Sequence, residues 1–208
     1  ELEKTVELIN EGNILAVKGL GGYHLVCDAT NEKAINELRK RKNRPSKPFA
    51  VMVRNIEMAR EFAIISKSEE DFLVSQERPI VIVKMKNTDS SIISPNISYI
   101  GIFLPYTPLH LLLLEKLQRP LIATSANVTD EPICTNLDSL KNLSGVYDYV
   151  LEHNRVIVNG CDDSVMMVVN EQQVMLRRAR GYAPISVKLP CSLKKNVLAL
   201  GANQKSTI

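Results

Sequence analysis

The 208-residue chain carries 26 Lys and Arg against 23 Asp and Glu, and 45% of its residues are apolar. An apolar fraction of this size can fill the core of one large domain or two small ones, which excludes an intrinsically disordered protein. The net charge of +3 is too small to indicate a nucleic-acid-binding protein by itself. No apolar stretch approaches the roughly 20 residues of a membrane-spanning helix and no signal-peptide pattern opens the chain, so we expect a cytoplasmic protein without a membrane partner.

Apolar periodicity predicts helices and strands that alternate along much of the chain. In chain order they are a helix over 2–9, strands over 14–17 and 23–27, a helix through 34–38, a strand over 49–53, helices through 58–62 and 69–71, strands over 79–85 and 100–104, a helix over 109–117, a strand over 121–123, a helix through 137–143, and strands over 156–158, 165–169 and 174–177. Asn55, Ser68 and Thr107 are predicted helix N-caps, because their side chains accept hydrogen bonds from unpaired backbone N–H groups. Since helices and strands alternate at first and strands gather late, we expect an α/β domain around a mixed, twisted sheet.

The domain organisation follows from a change in composition after Gly181. Polar residues and prolines then interrupt the chain before the apolar run 197–200. We therefore expect one domain over 1–186, with a linker and the first strand of a following, truncated domain over 187–208. Because the first residue is Glu1 rather than Met, we also expect the chain to be a piece of a longer protein.

Four cysteines stand far apart in the sequence, with no close pair and no nearby His at the spacing of zinc ligands: Cys27, Cys134, Cys161 and Cys191. We expect no metal site on them. Nothing local would lower the pKa of their thiols, so the cysteines are interpreted as small hydrophobic residues.

A basic run at 42–48 sets Lys42, Arg44 and Lys47 beside two prolines. Proline holds the chain extended, so little conformational entropy is lost when such a strip lines a polyphosphate. The alternative is a solvated helix end, since cations at a helix C-terminus interact favourably with the helix dipole. Charge pattern alone leaves both interpretations open.

Other polar groups stand where ligands often bind. Thr124, Ser125 and Asn127 follow a predicted strand, where open α/β sheets place ligands, although Ser125 or Asn127 could equally cap a helix. The segment 162–164 favours a turn over a magnesium site, and the glycines at 19–22 indicate a tight turn. Strand alternation sends Arg177 and Arg178 to opposite faces, so only some of the cations at 177–180 can reach one ligand.

The three histidines do not form a hydrolase triad with a nucleophile in any recognised order. His110 is expected on a helix surface or in the core. His24, which follows the glycine turn, is the histidine to test for a role in binding.

Taken in order, these motifs resemble the YrdC family over about residues 15–180. The resemblance is carried by the glycine turn before Tyr23, by Lys42, Arg44, Pro45 and Pro48, by Ser125 with Asn127, and by Ser164 ahead of Arg177. It implies a twisted, open mixed sheet with flanking helices and a large basic cavity, in which ATP adenylates a carbamate-type carboxylate.

Two branches of that family differ in their motifs. The branch that makes threonylcarbamoyl-adenylate for transfer RNA modification has a Pro-Thr-Glu-Thr-like segment after the first strand and Asn at the position of Lys47. This chain has Lys18 and the glycine turn at the first place, and it adds the segments 101–110 and 177–184. These features resemble the YrdC-like domains of the HypF family, the carbamoyltransferases of nickel–iron hydrogenase maturation.

The HypF resemblance implies a reaction and a set of residues. Carbamate derived from carbamoyl phosphate would attack ATP to give carbamoyl-adenylate and pyrophosphate, and a neighbouring domain would carbamoylate the C-terminal cysteine of the partner HypE. ATP would bring Mg²⁺ on its phosphates, with no protein metal site. The implied residues are Lys42 and Arg44 for catalysis; Lys42, Arg44, Lys47, Thr124, Ser125, Asn127 and Arg177 for ATP binding; and Tyr23, His24 and Ser164 for substrate binding.

Two other functions stay open at this point. The chain could be a threonylcarbamoyl-adenylate synthase for transfer RNA modification. It could also be a double-stranded RNA-binding module that uses the same basic cavity, for which we expect weak nucleic-acid binding at best.

Overall fold

Helices pack on both faces of one sheet in this computed structural model, which describes residues 1–87, 92–128, 131–186, 188, 195, 197 and 198. The elements are α1 Leu2–Asn10, β1 Leu15–Lys18, β2 Tyr23–Asp28, α2 Glu32–Arg41, β3 Ala50–Met52, α3 Ile56–Phe62, β4 Ala63–Ile64, α4 Lys67–Val74, β5 Ile80–Met85, β6 Tyr99–Phe103, α5 Pro108–Leu117, β7 Leu121–Ser125, α6 Leu137–Leu140, a 3₁₀ turn Lys141–Leu143, β8 Tyr149–Leu151, β9 Val165–Val169 and β10 Gln172–Arg177.

The sheet is mixed and open. Its strand order is β10-β9-β5-β6-β3-β7-β2-β1-β8, and β4 pairs with β5 off this path. β1 and β8, β3 and β6, and β5 and β9 are parallel pairs, whereas β2 runs antiparallel to both β1 and β7. The expected α/β class with a mixed sheet and flanking helices is therefore confirmed.

Two apolar cores lie on opposite faces of the sheet because strand side chains alternate in direction. On the first face, buried residues of α2 and α3 such as Leu38 and Ala59 pack on Leu25 and Ile122 of the central strands. On the second face, α1 and α5 cover the neighbouring positions, with Leu114 among the fully buried side chains. Neighbouring side chains at the same end of β2 or β7 consequently lie on opposite faces of the sheet.

The predicted strand at 156–158 is wrong. Val156 and Val158 are 83% and 86% exposed, and β8, at Tyr149–Leu151, pairs with β1 instead. The alternating valines have the pattern of a strand, but β8 already occupies the position beside β1. Strand pattern without a partner strand does not produce a strand.

The sequence misplaced one helix cap by two residues. Thr107 and Asn55 cap α5 and α3 as expected. The N-cap of α4 is Ser66, because its side chain accepts from Glu69 N while the Glu69 carboxylate accepts from Ser66 N. The predicted cap, Ser68, lies inside the helix.

The predicted linker and strand at 187–208 fall almost entirely outside the described residues, as does Cys191. Cys27, Cys134 and Cys161 are free thiols, and the first two are buried. None of the helices in the described ranges has both the length and the apolarity to cross a bilayer.

The two serines of α4 give a test of the cap. Ser66→Ala removes the acceptor for Glu69 N and should lower the free energy of unfolding by about 1 kcal/mol. Ser68→Ala is the matched control and should change it by less than about 0.5 kcal/mol, because alanine suits a helix interior. Urea unfolding of both variants measures the difference. Equal losses would contradict the capping box.

Candidate functional site

The basic run follows the end of α2. Asn31 caps the start of this helix by accepting from Lys33 N and Ala34 N, and the helix ends at Arg41. Lys42 is the C-cap residue, and Asn43 takes a left-handed conformation with φ of 47°. The chain therefore turns sharply where the predicted phosphate-binding residues begin.

Arg39 holds this turn in place, a role that the sequence did not predict. Its side chain is buried and lies over the Phe49 ring, 4.4 Å from the ring centroid. Its guanidinium donates to four backbone carbonyls, those of Ile92, Ile93, Arg44 and Lys47. The sequence could not show that this arginine of α2 points into the protein, because its backbone partners at 92 and 93 are distant along the chain.

Lys42 joins the basic run to the end of β7. Its ammonium donates to Ser125 O at 2.8 Å, Asn127 O at 3.0 Å and Asn127 Oδ1 at 3.2 Å. All three N–H groups of Lys42 are thus hydrogen-bonded within the protein. Lys42 would therefore attract a nearby anion through its charge, while its hydrogen bonds hold the corner at 125–127 in place. Burial, and then the neighbouring Arg44 cation, lower the pKa of Lys42 to about 8.

Arg44 and Arg177 bring positive charge from two distant parts of the chain. Arg44 donates from Nε to Lys47 O and from Nη2 to Pro48 O, and its Nη1 group has no hydrogen bond to the residues that the structure describes. Burial, then the cations of Arg39 and Arg177, lower the pKa of Arg44 to about 10. Arg177 is exposed at the end of β10. We call Lys42, Arg44 and Arg177 the cation cluster.

The cation cluster lacks neutralising carboxylates. In the parts of the chain that the structure describes, none of its three members forms an ion pair with Asp or Glu. Like charges that are brought together and partly desolvated lower one another's pKa, and an anion relieves that cost. The arrangement therefore favours binding of a ligand with several negative charges, such as a polyphosphate.

Ser125 and Asn127 form the polar corner beside the cluster. Ser125 Oγ donates to Asn127 Oδ1 at 2.7 Å, and Asn127 Nδ2 donates to Glu131 O at 3.0 Å. Thr124 precedes them as a buried residue of β7. The structure thus brings the predicted residues of 42–44, 124–127 and 177 into one region.

The glycine turn is a tight turn, as expected. Gly19 N donates to Gly22 O at 2.8 Å. A Cβ at Gly21 would lie 2.3 Å from Cys161 O, and one at Gly22 would lie 2.5 Å from Ile133. Only glycine allows these two chain segments to approach so closely, and the turn thereby closes the site end of β2.

Two of the predicted substrate-binding residues have roles within the protein. Tyr23 is fully buried and donates from its hydroxyl to Glu152, which also accepts from Lys18. Burial, and then Glu152, raise the pKa of Tyr23 well above its ordinary value. Ser164 is also fully buried and bonds to backbone groups near residue 180. A substrate-binding role for either residue stays a prediction.

His24, the third predicted substrate-binding residue, lies on the second face of the sheet. It is the register partner of Ser125, and its Nε2 is 3.3 Å from Asp163 Oδ2. His110 is in the core, with its ring 6.0 Å from the His24 ring. Burial, and then His24, lower the pKa of His110 to about 3, so it is neutral at ordinary pH.

No three His, Cys, Asp or Glu side chains within the described ranges are grouped so that they could hold a metal ion. A groove of about 510 Å³ lies at the far end of β2, where Asp28 and Arg119 form part of its lining. Asp28 already accepts from Arg119 and Thr30. The charged groups of that groove are thus paired with one another, so the cation cluster is the stronger candidate site.

Comparisons with known proteins identify relatives of similar sequence and fold. The family model Sua5_yciO_yrdC, described as telomere recombination, matches residues 7–179. Carbamoyltransferase HypF of Synechocystis sp. is 44% identical over 210 residues, which is all of this chain and 27% of that protein. A crystal structure of full-length HypF in the phosphate- and nucleotide-bound form superposes with a TM-score of 0.85 at 42% identity, over 88% of this chain and 25% of that one. The chain therefore spans about a quarter of the length of these relatives.

A more distant relative is the threonylcarbamoyl-AMP synthase of Photobacterium profundum. It is 24% identical over 165 residues, which is 76% of this chain and 86% of that protein. The motif differences at Lys18 and Lys47 agree with the larger distance from this branch.

The cation cluster predicts that a bare polyanion stabilises the chain. Inorganic tripolyphosphate at 100 times its Kd should raise the free energy of unfolding by about 2.7 kcal/mol. Lys42→Met and Arg44→Met should each remove most of this gain. Lys116→Met, which removes an exposed lysine paired with Glu3, is the control and should retain it. Thermal unfolding with and without tripolyphosphate measures the effect, and an equal gain in all four proteins would rule out the site.

Proposed function

Because the chain belongs to the Sua5/YciO/YrdC family, we propose that it uses ATP to activate carbamate as carbamoyl-adenylate, with release of pyrophosphate. The observation that carries this proposal is the cation cluster, three converging positive charges without carboxylate partners in the described residues. The 44% identity to a carbamoyltransferase HypF supports carbamate, rather than threonylcarbamate, as the carboxylate that receives the adenylyl group. The nucleotide- and phosphate-bound form of a similar HypF supports a nucleotide as the ligand.

The proposed step needs no nucleophile from the protein. An oxygen of carbamate forms a bond to the α-phosphorus of ATP, the bond from that phosphorus to the bridging oxygen breaks, and pyrophosphate leaves with the electron pair. The task of the protein is to hold two anions together and to offset the negative charge on the phosphates. Proximity and electrostatic stabilisation are the two contributions that such a site can supply.

The residues divide this work according to their contacts. Arg44 and Arg177 have donors without a partner among the described residues, so we assign them to the phosphate oxygens. Lys42 supplies charge and orients the corner formed by Ser125 and Asn127, which we assign to the α-phosphate or the adenylate. Thr124 and Lys47 complete the proposed ATP site.

Mg²⁺ would be held by the ATP phosphates rather than by the protein. The nearby buried carboxylate, that of Asp163, is paired with Arg180 and His24. Bound in this way, Mg²⁺ neutralises part of the phosphate charge. The protein side chains then need to offset only the remainder.

For the carbamate end, His24 is the strongest of the three predicted residues. Its Nδ1 is buried and has no hydrogen-bond partner within the described part of the chain, whereas the hydroxyls of Tyr23 and Ser164 are engaged. In the longer proteins that this chain resembles, we propose that carbamate comes from carbamoyl phosphate and that the carbamoyl group passes to the C-terminal cysteine of HypE.

Pyrophosphate exchange tests the proposed reaction. Labelled pyrophosphate should enter ATP when carbamate is supplied to the chain, or carbamoyl phosphate to the full-length protein. Arg44→Met should lower the exchange rate by at least about tenfold, since one charge-assisted contact contributes about 1.5–3 kcal/mol. Exchange that requires threonine with bicarbonate would contradict the proposal in favour of a threonylcarbamoyl-adenylate synthase.

The low pKa of Lys42 predicts a pH dependence of ATP binding. The polyanion favours the charged lysine, so ATP should raise this pKa from about 8 and take up a proton on binding. Affinity should weaken as the pH rises through 8, by up to about tenfold between pH 8 and 9, because free Lys42 becomes mostly neutral there. Titration calorimetry across this range measures both affinity and proton uptake.

Lys42→Met is the control for that titration. It should bind ATP weakly at every pH, without the loss of affinity above pH 8. If the mutant shows the same pH profile as the unmodified chain, Lys42 is not the titrating group.

A further inference from the structure

A buried polar network lies on the second face of the sheet, at the same end of β2 and β7 as the corner at 125–127. It contains Asp163, Arg180 and His24, with the Tyr106 ring packed against it. The side chains of Asp163 and Arg180 are only 9% and 14% exposed. Burying a charged side chain costs free energy unless the charge is fully paired. Because these side chains are buried, they do not contribute to solubility, and their burial indicates another role.

Arg180 anchors the chain just beyond β10. Its guanidinium donates to Asp163 Oδ1 at 2.9 Å, to Glu77 O at 2.7 Å and to Arg78 O at 2.8 Å. The same guanidinium stacks on the Tyr106 ring, 3.5 Å from its centroid. One side chain thereby ties the end of β10 to the loop before β5 and to the segment before α5.

The backbone around Arg180 is held as firmly as the side chain. Arg180 N donates to Asp162 O, Ser164 Oγ donates to Arg180 O, and Ala179 N donates to Ser164 Oγ. Asp163 and Ser164 therefore hold residues 179 and 180 from both sides. This explains why Ser164 is fully buried.

β10 itself cannot fix the position of Arg177. Among the strands that the structure describes, it is an edge strand that pairs with β9 alone. Its side chains are mostly exposed, and its register shifts between Met175 and Arg177. An edge strand with little buried surface is held weakly by packing. The anchor two and three residues further on must supply the missing constraint.

The opposite end of the network reaches β7. Asp163 Oδ2 lies 3.3 Å from His24 Nε2, and His24 is the register partner of Ser125. Burial alone would raise the pKa of Asp163, but His24 and Arg180 together hold it well below its ordinary value, so the carboxylate is charged. One carboxylate thus links the two regions that carry Arg177 and the corner at Ser125.

We propose that Asp163 and Arg180 are positioning residues, which hold Arg177 beside Arg44. This inference rests on the proposed function, because it assigns Arg177 to the ATP phosphates. Neither positioning residue contacts the ligand. Their substitution should weaken ATP binding through Arg177 alone.

A double-mutant cycle on the full chain separates this role from general destabilisation. Arg180→Lys keeps the charge but loses the planar fork, and it should raise the Kd for ATP by at least about tenfold. Arg177→Met should have a similar effect. The double variant should bind no more weakly than Arg177→Met, because Arg180 acts through a side chain that is already gone. Multiplicative losses in the double variant would overturn the inference.

Asp163→Asn has a matched control in Asp28→Asn. Both aspartates are buried and pair with an arginine, but Asp28 and Arg119 lie at the other end of β2. Both variants should lose stability, whereas only Asp163→Asn should lose ATP affinity. Equal affinity losses in the two variants would assign Asp163 a merely structural role.

Failure of the two proposals is distinguishable in this design. If the unmodified chain does not bind ATP by calorimetry, the proposed function falls and the inference falls with it. If the unmodified chain binds ATP and the cycle is multiplicative, only the positioning role is wrong. Because Arg180→Lys retains the buried charge pair, the cycle can be measured even where Asp163→Asn does not fold.

Discussion

Crowding of positive charge is the constraint on which the rest of this site depends. Lys42 and Arg44 are half-buried and close to other cations, and burial and those neighbours lower the pKa of both. Charges in this situation repel one another and lose hydration, so the folded chain bears a cost that only an anionic ligand relieves. Such a cluster lowers the stability of the unliganded chain and favours binding of an anion. That cost is the physical reason to assign function to the basic run rather than to treat it as a solvated helix end.

Backbone oxygens make the crowding tolerable. Carbonyl groups accept from Arg39, Lys42 and Arg44, so most of the buried N–H groups are satisfied without a carboxylate. A carboxylate would neutralise the cations and compete with a polyphosphate, whereas a carbonyl orients a cation and leaves its net charge available. The choice of partners therefore preserves the affinity of the site for anions.

A buried carboxylate near the site, that of Asp163, is kept apart from the cation cluster by its own partners. Asp163 pairs with Arg180 and His24 and does not reach the cation cluster through a direct ion pair. The negative charge of Asp163 is thereby neutralised within the framework, and the cation cluster keeps its net positive charge. An RNA-binding surface would not require this separation, because flexible exposed lysines and arginines serve a phosphate backbone equally well. The buried framework favours a small, defined ligand.

The sequence by itself determined the α/β class and most helix and strand positions, because these depend on local patterns. Motif order also predicted a site from residues at 42–44, 124–127 and 177, and that site stays a prediction. The sequence misplaced the cap of α4, since two nearby serines gave equivalent local signals, and it predicted a strand at 156–158 because the alternating valines there have a strand pattern. Only the tertiary structure showed that Arg39 is a clamp and that Asp163 and Arg180 form a buried pair, because their partners are distant in sequence. It also gave internal partners to the hydroxyls of Tyr23 and Ser164. Local chemistry names the groups that can bind a ligand, but burial and long-range contacts decide which of them are free to do so.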